Sequence, residues 1–316
     1  MSMCKELRCP VTALSSMDIP APHPFAAVVK LPRDDHGDPV MEPTAFGALH
    51  WAPHHHSGFR NRMHAVASWV ANNEPAAIVV DVSVETALFA RLLGVPVIVM
   101  ALPGNRFDAP HTLVHQLADH IIAAWPQELY VPQWLQPHAA KTSFVGGISR
   151  FDGRPCSSLT RTAVARVLVL AGADEDFGCQ IDECAAACPG TTWSAVGGAE
   201  EWVDDPWPQI CAADVVVTHA GQGAVADVAA ARRRAVVIPQ PRPYDEQAAT
   251  AEVLRRHGLA TVARSRPAVR EWPTLISQAL ASDPQNWVHW EVSGAACRAA
   301  RAVEATAQRC AMATGQ

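Results

Sequence analysis

The sequence has no apolar stretch long enough to cross a bilayer. Its longest runs, such as Ala76 to Val80, fall far short of the roughly 20 residues a membrane helix needs. It also has no basic opening followed by an apolar core, the mark of a secretory signal. Positive charge is not in excess: 25 lysines and arginines against 31 acids leave a net charge of -6. That removes any general attraction for nucleic acid or an anionic membrane. Tyrosine is scarce, at 2 residues against 10 tryptophans, a bias to which no function attaches. No Gly-x-Gly-x-x-Gly follows an early strand, so a nicotinamide-dependent oxidoreductase has little support. The nine cysteines are scattered, and the odd count argues for free thiols in a reducing compartment. Cys184 and Cys188 would share a helix face, yet no second close pair or histidine joins them, which reads as buried thiols rather than a metal site. The expectation is a cytoplasmic protein without a metal or a membrane segment.

What is present is a globular composition, 49% hydrophobic over 316 residues, enough for two domains with real cores. In the first half, Val11 to Ser16 reads as a short buried strand, and Lys5 to Arg8 ahead of it as the tail of a helix closed by Pro10. The proline-dense stretch Pro20 to Thr44 disfavours long elements. A helix around Met63 to Val70, a strand Ala76 to Val82, a helix Ser83 to Leu93 and a strand Val95 to Met100 then alternate. Residues 113–124 fit either a helix, Leu113 to His120, or a strand, Ala118 to Ala124. In the second half, strands at 165–170, 191–196, 214–218 and 235–239 alternate with helices at 176–187, 223–231 and 245–257. This alternation predicts an α/β fold of two Rossmann-like domains with parallel sheets facing a cleft, 1–147 and 148–316. Gly146 and Gly147 mark the crossing and permit a hinge. Trp287 and Trp290 share a face and read as anchors of the terminal helix.

The clearest motif lies where the strand Asp214 to Thr218 runs through His219-Ala220-Gly221-Gln222-Gly223 into a helix. Glycines let the backbone approach a ligand, and the free N–H groups of a helix start favour a phosphate. A plain tight turn explains the glycines equally well. Asp227, one turn along, suits ribose hydroxyls or simply the helix dipole. After the next strand, Pro239-Gln240-Pro241-Arg242-Pro243-Tyr244-Asp245 leads to Glu246 and Gln247, an acceptor and an amide suited to sugar hydroxyls. Two polar sites at the ends of successive strands, in an otherwise apolar domain, favour a binding function.

The block from Asp214 to Leu254 resembles the carboxy-terminal domain of GT-B glycosyltransferases, in particular the lipid-linked muramoyl-pentapeptide N-acetylglucosaminyltransferases and UDP-glycosyltransferases of family 28 and its neighbours. The resemblance implies that Ala220 to Gly223 line a donor diphosphate, that Asp227 takes the ribose, and that Glu246 and Gln247 hold the transferred sugar. It implies that Thr250-Ala251 stands for the family's usual Asn-Ala, and that Trp202 to Asp205 lie near the donor base. Transfer of a hexosyl group from a UDP-sugar to a hydroxyl acceptor would follow, with Arg242 helping the departing diphosphate and no cofactor beyond the donor substrate. The resemblance favours inversion. Asp174-Glu175-Asp176 depart from the pattern, as three acids near a diphosphate repel it.

The family opens its first domain with a strand and a Gly-rich loop that carries a histidine, and no matching segment precedes Val11. Some 20–30 residues are therefore expected to be missing, by a late-assigned start or by degeneration into a catalytically impaired binding or regulatory protein. Candidate catalytic groups are Asp81 at a strand end, Asp108 in the segment Gly104 to His111, and His56 in the stretch His50 to His64, where Arg60 or Arg62 would meet an anionic acceptor. Arg106 and His111 are further candidates for acceptor contacts. Three adjacent histidines, His54 to His56, rarely close a metal site. Neither the acceptor nor the oligomeric state is marked by a motif.

Overall fold

The computed structural model describes residues 2–35, 40–156, 164–172, 181–198 and 203–313. Trp202 and the acids Asp174 to Asp176 lie outside them. The first domain runs β1 (Thr12–Ser15), β2 (Ala27–Lys30), α1 (Ser57–Asn73), β3 (Ile78–Asp81), α2 (Val84–Leu92), β4 (Val97–Ala101), α3 (Ala109–Leu117), β5 (His120–Ala123) and β6 (Thr142–Phe144). The second runs β7 (Ala165–Gly172), α4 (Ile181–Ala187), β8 (Thr191–Gly197), α5 (Trp207–Ala212), β9 (Val215–His219), α6 (Gln222–Ala231), β10 (Arg234–Ile238), α7 (Glu246–Arg256), β11 (Thr261–Val262), α8 (Trp272–Ala281) and α9 (Ala295–Ala313). Every pair within the sheets is parallel: β3-β4-β5-β6 in the first domain, β11-β10-β9-β7-β8 in the second. These are the two α/β Rossmann-like domains that the alternation predicts.

Local chemistry explains the boundaries. Ser83 and Asp108 cap α2 and α3 by accepting from Thr86 and His111 backbone N–H groups, each satisfying a donor that the helix itself leaves open. The ambiguous stretch 113–124 is both readings in succession, because α3 stops at Leu117 and β5 begins at His120. Asp119 between them accepts from the Val97 N–H, which fixes the turn. Central strands carry Val-rich runs buried on both faces, such as Val215 to Val217, each side chain worth about 1.5–3 kcal/mol.

The crossing between the domains is clamped. Gly146 has φ +76°, and its neighbour Gly147 donates its N–H to the Trp290 carbonyl at 3.0 Å. A side chain at Gly147 would collide with the Trp290 indole, which is buried. Trp287 is anchored as well, its Nε1 donating to Arg233 O at 2.7 Å. The glycines thus serve close approach. α9 then returns to the first domain, where Ala299 and Val303 pack on Ile98, Ile122 and Val145. The expectation of free thiols is corrected at one pair: Cys156 and Cys211 form a disulfide, their Cα atoms 5.5 Å apart though 55 residues separate them in sequence. Counting cysteines does not reveal which ones the fold brings together.

Two predictions concern stability. Gly147→Ala forces the Trp290 ring or the backbone to move, at a cost of about 1–3 kcal/mol; an unchanged urea midpoint would refute the clamp. His115 is buried, stacked on Trp134 at 4.6 Å, and burial lowers its pKa from 6.5 to about 3. The folded state keeps it neutral, whereas the unfolded chain protonates it below 6.5. Its contribution is therefore complete above that pH and is lost as pH falls toward 3, with a ceiling of about 4–5 kcal/mol. His115→Leu is expected to flatten the fall in stability between these values, measured by urea unfolding across pH. An unaltered slope would assign the acid sensitivity elsewhere.

Candidate functional site

The carboxyl ends of β3 and β4 face those of β9 and β10, the place where parallel α/β sheets present their loops to a ligand. β9 delivers His219 to the rim, and α6 starts at Gln222 after Gly221, whose cap position supplies no side-chain acceptor. The first N–H groups of α6 are thus left for another partner. Ala220 donates its N–H to Gln247 Oε1 at 3.0 Å, and Gly221 donates to His219 Nδ1 at 3.0 Å. A Cβ at Gly221 would stand 2.6 Å from the His219 ring, so only glycine fits; one at Gly223 would meet open space. Among the described residues, Gln222 Nε2 is buried without a hydrogen-bond partner. It lines a cavity of about 1540 Å³ together with Gly221, Gly223, Asp227 and Asp81. An open helix start with an unpartnered amide beside it has the donors that an anion or polar ligand uses.

The neighbouring groups are differently committed. Asp227 is buried, accepting from Ser149 Oγ at 2.7 Å and Arg150 Nε at 3.2 Å. Burial raises its pKa, and these two donors oppose the rise. Gln247 is buried too, and its Oε1 accepts from both Ala220 N and Gln240 N at 3.0 Å. Its amide therefore clips the two loops together, leaving Nε2 near Gln240 Oε1 at 3.5 Å. Thr250 and Ala251 are buried beneath it. Glu246 opens α7; burial raises its pKa, against the charges of Arg106 and Arg242. Arg242 itself is exposed, with Nη2 at 3.4 Å from Gln240 Oε1.

Across the cleft, Gly104 at φ +96° lets its loop touch the second domain, and Asn105 donates its N–H to Tyr244 O at 2.7 Å. Trp134 Nε1 donates to Gly104 O at 2.8 Å and holds that loop from behind. Buried Arg106 reaches Glu246 Oε2 at 3.4 Å and lies 4.7 Å over the Tyr244 ring. Asp108 accepts from His111 Nδ1 at 2.6 Å and is bonded to His50 Nε2 at 2.9 Å. Burial pushes the Asp108 carboxyl up, but these bonds outweigh it and leave its pKa below the usual value. Burial lowers His111. With Arg106 Nη1 donating to His111 Nε2 at 2.9 Å, His111 is the neutral tautomer carrying its proton on Nδ1. Ligand atoms of His50, Asp108 and His111 lie within 4.8 Å of one another. Both nitrogens of His111 are nevertheless spent, and Arg106 adds a positive charge that disfavours a cation.

Asp81 ends β3 at the floor of the cleft. Its side chain reaches solvent, yet the surrounding walls desolvate it and raise its pKa. His56 caps α1, its Nδ1 accepting from Phe59 N at 3.1 Å, and Arg62 pairs with Asp34 at 3.4 Å. The histidine brought to Asp108 is His50 instead. Its loop is held by Glu85, whose Oε1 accepts from the His50 and Trp51 N–H groups at 2.7 and 3.0 Å. Sequence reasoning named His50 only within a stretch and missed Glu85 altogether. A buried glutamate in the first turn of a helix is the signal that points to it.

Residues 200–283 match the model of the glycosyltransferase family 28 C-terminal domain. A 47-residue segment is 47% identical to the UDP-N-acetylglucosamine–N-acetylmuramyl-(pentapeptide) pyrophosphoryl-undecaprenol N-acetylglucosamine transferase of Rubrobacter xylanophilus, covering 15% of this chain and 14% of that protein. Among solved structures, the chain is similar to MurG of Acinetobacter baumannii, with a TM-score of 0.56 and 16% identity over 88% of this chain and 85% of that one. It is also similar to the calicheamicin glycosyltransferase CalG4, with a TM-score of 0.57 and 18% identity over 79% and 78% of the two chains. At such identities the likeness speaks for the fold. Two parallel α/β domains closing on one cleft make this a chain of the GT-B fold, and its residues 200–283 are similar to the family 28 C-terminal domain.

Proposed function

We propose that the protein transfers a hexosyl group from a UDP-sugar to a hydroxyl acceptor. The observation that carries this reading is the cavity shared by the start of α6, the unsatisfied Gln222 amide and Asp81. The diphosphate lies on the N–H groups of Gln222 and Gly223, with Arg242 countering its charge from the next loop. UDP is favoured because the Rubrobacter relative, by its name, draws on UDP-N-acetylglucosamine, and because the two chains align at 47% identity over 47 residues. Asp227 takes the ribose by exchanging its bond with Arg150. Glu246 faces the hexose. Gln247 holds both donor loops in place and contributes its Nε2.

In the transfer, the acceptor oxygen bonds to the anomeric carbon and its proton passes to Asp81. The bond from that carbon to the diphosphate breaks, and the electron pair leaves with UDP. Charge growing on the diphosphate is stabilised by preorganised donors at the start of α6. Asp81 suits the proton because a raised pKa brings a carboxylate closer to a useful base strength. Asp108 acts by positioning His50 and His111, and through Arg106 it orients Glu246. A second reading, a nucleotide-sugar-binding or regulatory protein without turnover, is favoured by one observation: the strands of the first domain do not form a continuous sheet.

Calorimetry with the whole chain is expected to show UDP and UDP-sugar binding. Asp227→Asn weakens both alike, whereas Glu246→Ala weakens only the sugar-bearing ligand, each by about five- to thirtyfold for 1–2 kcal/mol. Equal losses from Glu246→Ala would remove the hexose assignment, and no binding of either ligand to the folded chain would remove the donor site.

Turnover is measured as UDP released from UDP-sugar with a pool of hydroxyl acceptors. Asp81→Asn should lower it by about 10²–10⁴ while donor affinity stays. Because Asp81 must be ionised and its pKa is raised above 3.8, the rate falls as pH drops through a value higher than that. Unaltered turnover in Asp81→Asn would exclude it as base. Binding without any UDP release would favour the second reading.

A further inference from the structure

Cys156 and Cys211 meet where the segment that leaves the interdomain crossing lies on α5. Contacts other than the disulfide also hold these two pieces together. Arg154 pairs with both carboxylate oxygens of Asp205 at 2.8 and 3.0 Å, and Trp207 Nε1 donates to Pro155 O at 3.1 Å. Phe151 packs on the Trp207 ring at 4.9 Å. The two sulfurs therefore stay neighbours when the bond between them is open. The same pieces wall the cavity: Ile148 and Arg150 come from the segment, Val203, Pro206 and Ile210 from α5 and the residues before it. Arg150 in turn bonds Asp227 at 3.2 Å.

A cation stands beside the disulfide. Arg233 is buried, and its Nη2 donates to Cys156 Sγ at 3.1 Å. Its Nε and Nη2 also donate to Cys211 O at 3.2 and 2.7 Å, while its own carbonyl is held by Trp287 Nε1. The guanidinium is thus fixed in place. Positive charge beside a sulfur favours the thiolate, the form that attacks and is released in thiol–disulfide exchange. A sulfur bonded for good carries no charge for that cation to meet. Ala231 O lies 3.7 Å from Cys156 Sγ and can accept the proton of an opened thiol. Cys156 is half-buried and Cys211 buried, so a reagent meets Cys156 first. Among the described residues six other cysteines carry free thiols, exposed Cys9 among them. Where thiols are mostly kept free, a disulfide that does form is usually redox-active.

We propose that Cys156 and Cys211 are a reversible redox site for small thiols and their disulfides, and that its state sets how tightly the cavity beside Asp227 holds a nucleotide. In closing, the Cys156 thiolate attacks one sulfur of a small disulfide, whose S–S bond breaks and whose other half leaves as a thiolate. The Cys211 thiolate then attacks the Cys156 sulfur, the protein disulfide forms, and the second half leaves. Two electrons pass from the protein sulfurs to the small disulfide, and the two thiol protons end on the two released thiols. Opening is the reverse, begun by a small thiolate at the Cys156 sulfur. With the bond closed, Pro206 and Ile210 are fixed against the segment that carries Arg150, and the cavity keeps its width at Asp227. With the bond open, noncovalent contacts alone hold that wall. The redox site rests on the cysteines and Arg233; its effect on a nucleotide rests on the donor reading above.

The whole chain, equilibrated in glutathione buffers of graded ratio, is alkylated and its Cys156–Cys211 bond quantified by mass spectrometry. The bond should open and close across the series while the chain stays folded by tryptophan fluorescence. A bond that stays closed in reduced glutathione, or never forms in oxidised glutathione, would overturn the redox site. In the reduced chain, limiting iodoacetamide should label Cys156 ahead of Cys211, Cys184 and Cys188. Arg233→Met should slow that labelling about three- to tenfold, and Arg233→Lys should restore most of it. Equal rates in all three would remove the role of Arg233. The glutathione series needs no variant, so a misfolded Arg233→Met does not shield the proposal. By calorimetry, the reduced chain and Cys156→Ser should both bind UDP about fivefold or more weakly than the oxidised chain. Equal affinities would overturn the effect on the cavity. Absence of UDP binding in both states would instead overturn the donor reading, and this effect with it, while the glutathione series still decides the redox site.

Discussion

The contact of Gly104 and Asn105 with Tyr244 sets the geometry on which the site depends. One short hydrogen bond, Asn105 N–H to Tyr244 O, joins the loop after β4 to the loop before α7. It forms because Gly104 has no side chain to keep the backbones apart. With the loops joined, Arg106 reaches Glu246 across the domain boundary, and His50 and His111 pack on the Tyr244 ring. The polar groups of the two domains then form one connected set from Asp108 to Glu246. In a desolvated cleft such a network is worth having only if each member is satisfied, and its geometry shows the pairing: carboxylate to imidazole, imidazole to guanidinium, guanidinium to carboxylate.

In the second domain the same principle acts through a single amide. Gln247 accepts from Ala220 and Gln240, so the loops after β9 and β10 are built as one piece. Two backbone N–H groups that would otherwise compete for a ligand are satisfied internally. Those at the start of α6 and the Gln222 amide remain directed to the cavity. Some polar groups thus brace the loops while others stay open to the cavity. The same division separates the adjacent residues Glu246 and Gln247 by role: one half-exposed at the cleft, the other buried beneath it.

The described strands of the first domain form two parallel sheets, β1-β2 and β3-β4-β5-β6. α9 comes back from the end of the chain to cover one side of the layer, and α1 covers the other. The second domain has a continuous five-stranded sheet by contrast, and the residues of its site come from adjacent strands. The asymmetry between the halves therefore lies in sheet continuity rather than in composition.

The amino-acid sequence by itself determined the period of the structure. Short Val- and Ile-rich runs such as Ile78 to Val80 and Val215 to Val217, each followed by capping residues and a helix, are enough to specify parallel α/β domains. It also determined the glycine loop before α6, because Gly221 and Gly223 stand at fixed distances from a strand end and a helix start that local rules locate. Tertiary structure alone decided which polar groups meet. His50 joins Asp108 across 58 residues, Arg106 joins Glu246 across 140, and Cys156 bonds Cys211 across 55. It also decided that His56 caps a helix, that Gln247 serves as a brace and that α9 belongs against the first sheet. The reason is that helix and strand periods are encoded within a few neighbouring residues, whereas these pairings depend on how complete layers dock. A side chain's local neighbours do not report what the opposite wall of a cleft will place beside it.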